Sequence, residues 1–98
     1  MKPYRFQPAA DVEYAEAATY YAGIDTGLGQ RFYEEMERLI GEVRAHPERF
    51  WMFDPPARRH LSAVFPYSVV YLDKPDVVWI VAIMHAKQQP GYWRERAE

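Results

Sequence analysis

FPYSVVYLDKPDVVWIVAIMH, residues 65–85, is the stretch that decides the fold. On both sides of DKPD, residues 73–76, nearly every position is β-branched, aromatic or aliphatic, which is the composition of buried strands. DKPD itself contains residue types typical of a tight turn. The stretch therefore predicts two antiparallel strands joined by a short turn. Because the second strand is apolar on both alternating faces, we expect it to be a central strand of the sheet.

Strict alternation divides the side chains of this second strand between two faces of the sheet. We expect one face to carry Val77, Trp79, Val81, Ile83 and His85, and the other to carry Val78, Ile80, Ala82 and Met84. Helices would cover one of these faces. The opposite face must be covered by another segment or left partly open for a partner.

The residues upstream predict one strand and a first helix. Tyr4, Arg5 and Phe6 lie between two prolines and predict a short strand, since proline cannot donate to a strand ladder. Pro8 suits the first position of a helix, and Gly23 is a typical residue at a helix end. The apolar spacing of this helix runs through Val12, Ala15 and Thr19, with Tyr14, Ala18 and Tyr21 beside them.

The next residues predict a second helix, packed against the first as an antiparallel hairpin on the sheet. Asp25 or Thr26 can cap its beginning, and Pro47 marks its end. Because the connection between the helices is short, we expect them to be antiparallel neighbours. The apolar stripe of the second helix consists of Leu28, Phe32, Met36, Leu39 and Val43, widened by Tyr33 and Ile40.

After the helices the sequence predicts a loop, a strand and a polar tail. Residues 48–56, ERFWMFDPP, show no period and predict a loop that either packs at the edge of the core or binds a partner. Residues 57–63 predict a strand with Arg58, His60 and Ser62 on one face and Arg59, Leu61 and Ala63 on the other. The complete order predicts a single domain, residues 1–98, of the α+β class. It comprises an N-terminal strand, a helical hairpin, a three-stranded antiparallel meander and a short C-terminal helical turn.

Composition narrows the function classes. The 98 residues include no cysteine, so disulfides and thiolate chemistry are excluded. The three histidines are far apart in the sequence, and we expect neither a metal site nor a cofactor. Neither a signal peptide nor a membrane span is visible, so we expect a cytoplasmic chain with no membrane partner. Residues 1–48 carry five basic and nine acidic side chains and residues 49–98 seven basic and five acidic, so an anion would meet the second half.

Two groups of residues in that half could carry chemistry. Arg58 and Arg59 are adjacent on a strand, so their guanidinium groups leave opposite faces and can bind phosphate or carboxylate. In the alternative interpretation one of them pairs with a helix glutamate and the other is merely exposed. His85 lies at the end of the central strand near Lys87 and Tyr92, where it either transfers protons or hydrogen-bonds a loop carbonyl.

The tail, residues 86–98, mixes aromatic and cationic side chains. Tyr92, Trp93, Arg94 and Arg96 resemble a surface on which bases stack, but ordinary C-terminal helices that dock by their aromatics have the same composition. For Trp93 we expect docking onto the core.

In order and spacing these motifs resemble the RelE/ParE superfamily of toxins from type II toxin–antitoxin systems, in particular its ParE-like, plasmid-stabilisation branch. The resemblance rests on the Arg58-Arg59 pair before Phe65-Pro66-Tyr67, the apolar strand ending in His85 and the closing residues 90–96, PGYWRER. It implies a small bacterial toxin neutralised by a cognate antitoxin that wraps it with a segment folding on contact. Trp51 and Phe53 are the expected antitoxin anchors.

The resemblance leaves the cellular target open. ParE-like members inhibit DNA gyrase by protein binding, and RelE-like members cut messenger RNA on the ribosome. The chain has only three lysines, and Gln88 and Gln89 follow the strand where many relatives carry arginines. We therefore favour a gyrase inhibitor, with an endoribonuclease and an inactive relative that only binds its antitoxin as alternatives. The expected target-binding residues are Arg58, Arg59, His85, Lys87, Tyr92 and Arg94, and the catalytic residues of a nuclease would be Arg58, Arg59, His85 and Tyr92.

Overall fold

The computed structural model describes all residues, Met1–Glu98, and confirms the α+β class. Its elements are β1 Tyr4–Phe6, α1 Pro8–Ile24, α2 Thr26–Ala45, β2 Trp51–Asp54, β3 Ala57–Leu61, β4 Tyr67–Asp73, β5 Val78–His85 and a 3₁₀ turn at Arg94–Ala97. The five strands form one sheet in the order β1-β5-β4-β3-β2. β1 is parallel to β5, and the other neighbours are antiparallel. No helix is both long and apolar enough to cross a membrane.

β5 is a central strand, as predicted, but its side chains do not alternate regularly. Val70 pairs with Ala82 and Tyr71 pairs with Ile80, so Val81 is an extra residue between two paired positions. Such a β-bulge reverses the face on which all later residues lie. The predicted faces are therefore wrong beyond the bulge: Ile83 packs under the helices, whereas Val81 and Ala82 both pack on the opposite face.

The helical hairpin is confirmed, and the two helices are separated by one residue. Asp25 donates its backbone N–H to the carbonyl of Tyr21 at the end of α1, and its side chain accepts from the N–H of Leu28 at the start of α2. Gly29 lets the helices approach closely, since a Cβ there would lie 2.6 Å from the Cβ of Ala22. The hairpin therefore depends on one capping residue and one glycine.

The helix faces are only partly as predicted. The stripe along α2 is buried, except that Leu28 is only partly buried and Tyr33 is half exposed. In α1 the prediction is wrong for Val12, which is 56% exposed, and also for Ala15 and Thr19. The residues of α1 that pack in the core are Ala10, Tyr14, Ala17, Ala18 and Tyr21. They lie one turn apart along the opposite face of the helix.

Residues 48–56, for which the sequence predicts a loop, contain an additional strand. β2 pairs with β3, with Trp51 opposite Arg59 and Asp54 opposite Ala57, so four antiparallel strands follow the helices instead of three. β2 has no neighbour on its outer side and is an edge of the sheet. The sequence does not indicate β2 because the strand is short and is followed by two prolines, and because an edge strand need not alternate apolar and polar residues.

The sheet separates two hydrophobic clusters. The larger one lies between the helical hairpin and the sheet. The smaller one lies on the opposite face, here called the back face, and Trp93 belongs to it together with Val70, Val81 and Met84. Trp93 is 2% exposed, which confirms that the tail docks by this residue. The C-terminal segment, residues 86–98, is therefore the element that covers the back face.

Candidate functional site

Arg58 and Arg59 leave opposite faces of β3, as predicted, and their surroundings differ. The Arg58 guanidinium donates to the backbone carbonyls of Glu48, at 3.0 Å, and Phe50, at 2.8 Å. It therefore holds the segment that leads into β2. The alternative prediction that one of the pair binds a helix glutamate is wrong, because the residue of β3 that does so is His60, 2.7 Å from Glu42.

Arg59 lies on the back face and stacks on two aromatic rings. The central carbon of its guanidinium is 5.5 Å from the ring centroid of Trp51 and 5.4 Å from that of Phe53. No carboxylate of the chain pairs with it. Cation–π contacts hold the guanidinium in place while its N–H groups remain available to an acceptor.

Arg59 lines a cavity of about 410 Å³ between the sheet and the C-terminal segment, here called the Arg59 cavity. Its wall is formed by Phe53, Asp54, Arg59, Leu61, Ser68, Met84, His85, Ala86, Gln88, Pro90, Gly91 and Arg94. Three of the predicted target-binding residues, Arg59, His85 and Arg94, meet here. The cavity wall combines cationic and apolar side chains, which suits a ligand group that is anionic or amphipathic.

His85 is oriented by the loop that follows it. Its Nδ1 accepts a hydrogen bond from the backbone N–H of Lys87 at 3.0 Å, so in the neutral imidazole the proton is on Nε2. The partner is a loop amide, and the predicted bond to a loop carbonyl is not formed. The Tyr67 ring meets the imidazole edge to face at 5.0 Å. His85 also borders a second cavity of about 330 Å³ on the helix side, whose wall includes Glu13 and Glu16.

Arg94 is bound to the edge strand. Its Nε and Nη2 lie 2.9 and 2.8 Å from the same carboxylate oxygen of Asp54. Gly91 makes this position accessible, because it has φ +76° and a Cβ there would lie 2.6 Å from the Arg94 guanidinium carbon. The Asp54–Arg94 pair therefore closes one side of the Arg59 cavity.

Tyr92, a predicted catalytic and target-binding residue, faces away from this cavity. Its hydroxyl donates to Glu13 of α1 at 2.7 Å. Burial and the hydrogen bond to Glu13 raise the pKa of Tyr92 well above its usual value. The hydroxyl is therefore protonated at neutral pH and engaged with a carboxylate.

Glu13 is the site residue that the sequence interpretation missed. Besides Tyr92 it binds the Arg96 guanidinium, at 2.8 and 3.1 Å, and the backbone N–H of Ile83, at 3.1 Å. Arg96 in turn donates to the carbonyl of Val81 at 3.2 Å. Glu13, Tyr92 and Arg96, here called the Glu13 cluster, thus satisfy backbone groups of β5 where β1 no longer pairs with it. The sequence could have indicated this role, since Glu13 lies one turn from both Ala10 and Ala17 on the buried face of α1.

The aromatic side chains of β2 form a row on the back face. The ring centroids of Trp51 and Phe53 are 5.8 Å apart, as are those of Phe53 and Trp93. Trp51 is 66% exposed and Phe53 is partly buried. Lys87 is exposed beside His85 and does not line either cavity.

The candidate residues form no metal centre, since no three histidine or acidic side chains lie close enough to hold an ion. In a comparison with protein families, the model described as the ParE toxin of the type II toxin–antitoxin system, parDE, matches residues 4–90. The match includes the sheet, the helical hairpin and Glu13, and it ends before Tyr92, Arg94 and Arg96. No curated protein matches the chain significantly.

Proposed function

The chain belongs to the ParE toxin family of type II toxin–antitoxin systems, and we propose that it inhibits DNA gyrase by binding it through the Arg59 cavity. Membership of this family implies an antitoxin partner. It does not decide between a gyrase inhibitor and a nuclease. The choice rests on how the candidate residues are arranged.

The proposal rests on the separation of two predicted nuclease residues, Arg58 and Tyr92, from the other two, Arg59 and His85. A general acid or base must lie within hydrogen-bond reach of the reacting atoms. Arg58 binds backbone carbonyls on the helix side of the sheet, and Tyr92 is bound to Glu13. Neither side chain lines the Arg59 cavity. A protonated tyrosine held by a carboxylate is unsuited to accept the proton of a 2′-hydroxyl.

The remaining residues suit recognition of a protein. Arg59 is partly buried, stacked on Trp51 and Phe53, and free of any internal ion pair. Arginine and tryptophan are the residue types that most often dominate the binding energy of protein interfaces. We assign target binding to Arg59, His85 and Arg94, with Lys87 beside them, and give Arg58 and Tyr92 supporting roles in the fold.

The test is to induce the chain alone in growing bacteria and to pulse-label DNA and protein synthesis during the first minutes. We expect DNA synthesis to stop first.

In a supercoiling assay with purified gyrase, Arg59→Ala should raise the inhibitory concentration about 10–100-fold, the range for losing a charged hydrogen bond. The matched control is Arg5→Ala, an exposed arginine on β1 at the opposite edge of the sheet.

An endoribonuclease is the second candidate, since Arg59, His85 and Arg94 share one cavity and could hold a phosphate. An early stop in protein synthesis, with messenger RNA cut at defined codons, would establish it in place of the gyrase inhibitor. A chain that stops neither process but still binds its antitoxin would be an inactive relative.

For the antitoxin we propose the exposed end of the aromatic row. Trp51 and Phe53 lie on an edge strand whose outer side is unpaired, and such an edge offers both anchors and backbone groups. Trp51→Ala should abolish co-purification with the product of the adjacent reading frame. Tyr20→Ala, also an exposed aromatic but on α1, is the control and should leave co-purification intact.

A further inference from the structure

We propose that the Arg59 cavity is a carboxylate-binding subsite that receives an aspartate or glutamate side chain of the protein target. This inference rests on the proposed function, because it specifies what that target inserts. Three observations support it: the hydrogen-bond donors of the cavity wall, the carboxylate of Asp54 that is already bound there, and the charged side chains around the cavity.

The cavity presents several hydrogen-bond donors and only one side-chain carboxylate. Arg59 has no anionic partner, and His85 has its Nδ1 occupied by the N–H of Lys87, which leaves Nε2–H as a donor. Ser68 and Gln88 add a hydroxyl and an amide to the wall. The carboxylate is Asp54, which is already engaged by Arg94. An incoming anion therefore finds donors without acceptors of their own.

Asp54 illustrates the chemistry that the cavity accepts. Its carboxylate reaches the cavity wall from β2, accepts a hydrogen bond from the Arg94 Nε–H at 2.9 Å and lies 2.8 Å from the Arg94 Nη2. The pair is weak, since the Arg94 side chain is 65% exposed and such pairs contribute about 0–1 kcal/mol. A second carboxylate placed between Arg94 and Arg59 would gain a second guanidinium. Phe53, Leu61 and Met84 would contact the methylene groups of its side chain.

The charges beyond the cavity favour a single carboxylate over a nucleic-acid strand. A phosphodiester chain needs a continuous track of positive charge, since each nucleotide brings a further phosphate. Past His85 and Gln88 the surface continues into the second cavity, whose wall carries Glu13 and Glu16. A strand leaving the Arg59 cavity in that direction would meet the unpaired carboxylate of Glu16, and also Glu13, whose charge Arg96 already balances. A side chain that enters from a protein partner has no such continuation.

The experiment titrates the full ¹⁵N-labelled chain with butyrate, dimethyl phosphate and chloride at constant ionic strength. The three probes carry one negative charge each, but only butyrate combines a carboxylate with a short aliphatic chain. We expect saturable shifts of the Arg59 and Arg94 Nε–H signals with butyrate, at least about tenfold stronger binding than with dimethyl phosphate, and no saturation with chloride. Tighter binding of dimethyl phosphate, or equal behaviour of all three, would overturn the proposal.

Two variants and a control keep the result interpretable. Arg59→Gln should weaken butyrate binding about tenfold, and Arg5→Gln should leave it unchanged. Asp54→Asn should strengthen it about threefold, because Arg94 loses its competing partner. An unchanged affinity in Asp54→Asn would count against the assigned position, even if Arg59→Gln were poorly folded.

The supercoiling assay separates this proposal from the function on which it rests. Gyrase inhibition without butyrate binding would overturn the carboxylate subsite and leave the gyrase inhibitor standing. Butyrate binding that depends on Arg59, in a chain that does not inhibit gyrase, would support the subsite and overturn gyrase as the target.

Discussion

The C-terminal segment contributes one arginine to the Glu13 cluster and one to the Arg59 cavity. Comparing the two sites distinguishes an arginine that supports the fold from one that is available to bind a partner. In the Glu13 cluster, Arg96 pairs with Glu13 and donates to the carbonyl of Val81. The side chain of Arg96 is only 19% exposed and that of Glu13 only 23%. In the Arg59 cavity, Arg94 has one partner, Asp54, and Arg59 has none. A cation whose acceptors are all supplied by its own chain has little left to offer a partner.

The energetic reason lies in solvent exposure. Removing one member of a largely buried ion pair leaves a charge and several polar groups without partners, which costs several kcal/mol. An exposed ion pair competes with water and contributes little to stability. The Glu13 cluster should therefore determine how firmly the C-terminal segment is held. The Arg59 cavity should determine what the chain binds.

The first test of this comparison is Glu13→Ala, for which we expect the largest effect. The substitution leaves Tyr92, Arg96 and the N–H of Ile83 without their common acceptor. It should lower the free energy of unfolding by about 2–3 kcal/mol, somewhat below the range for a fully buried pair because water reaches part of the site. Urea denaturation measures the change.

Glu16→Ala is the matched control for that substitution. Glu16 lies on the same helix and lines the same second cavity, but it is exposed and forms no ion pair. Its substitution should change the free energy of unfolding by less than about 0.5 kcal/mol. If the two glutamate variants were equally stable, the Glu13 cluster would not support the fold.

A smaller effect is expected for Tyr92→Phe, which removes one hydroxyl from the cluster and leaves the Glu13–Arg96 pair in place. We expect a loss of about 1 kcal/mol in unfolding free energy, the typical contribution of one hydrogen bond. Toxicity at a temperature where the variant is folded should not change, because Tyr92 is assigned a supporting role. Tyr20→Phe, whose hydroxyl is exposed, is the control. Loss of toxicity in a folded Tyr92→Phe would move this tyrosine into the functional site.

The sequence predicts most of the fold because hydrophobic pattern and turn chemistry are local. Residues 65–85 form the two strands that their composition indicates, and Arg58 and Arg59 separate as strand alternation requires. The failures have physical causes. The bulge at Val81 depends on how β5 pairs with β4, which composition does not encode. The strand β2 is stabilised by its neighbour and not by its own pattern.

The candidate site was predicted less completely, because it depends on contacts between distant residues. The sequence and the family resemblance predict Tyr92 as a functional residue, yet its hydroxyl binds a residue 79 positions away. The position of Glu13 on the buried face of α1 would have indicated a satisfied carboxylate, had the correct face been identified. The predicted stripe runs through the exposed Val12 and does not include Glu13.

The smallest expected effect on stability is that of Arg94→Gln, and Arg96→Gln is its direct counterpart. Both arginines lie in the same short turn, and each pairs with one carboxylate. Arg94→Gln should change the free energy of unfolding by at most about 0.5 kcal/mol, whereas Arg96→Gln should lower it by about 2 kcal/mol. In the supercoiling assay we expect the opposite order, with inhibition weakened by Arg94→Gln and retained by folded Arg96→Gln. Equal losses of stability in the two variants would mean that the Asp54–Arg94 pair also holds the C-terminal segment, and the distinction between a supporting and a recognising arginine would fail.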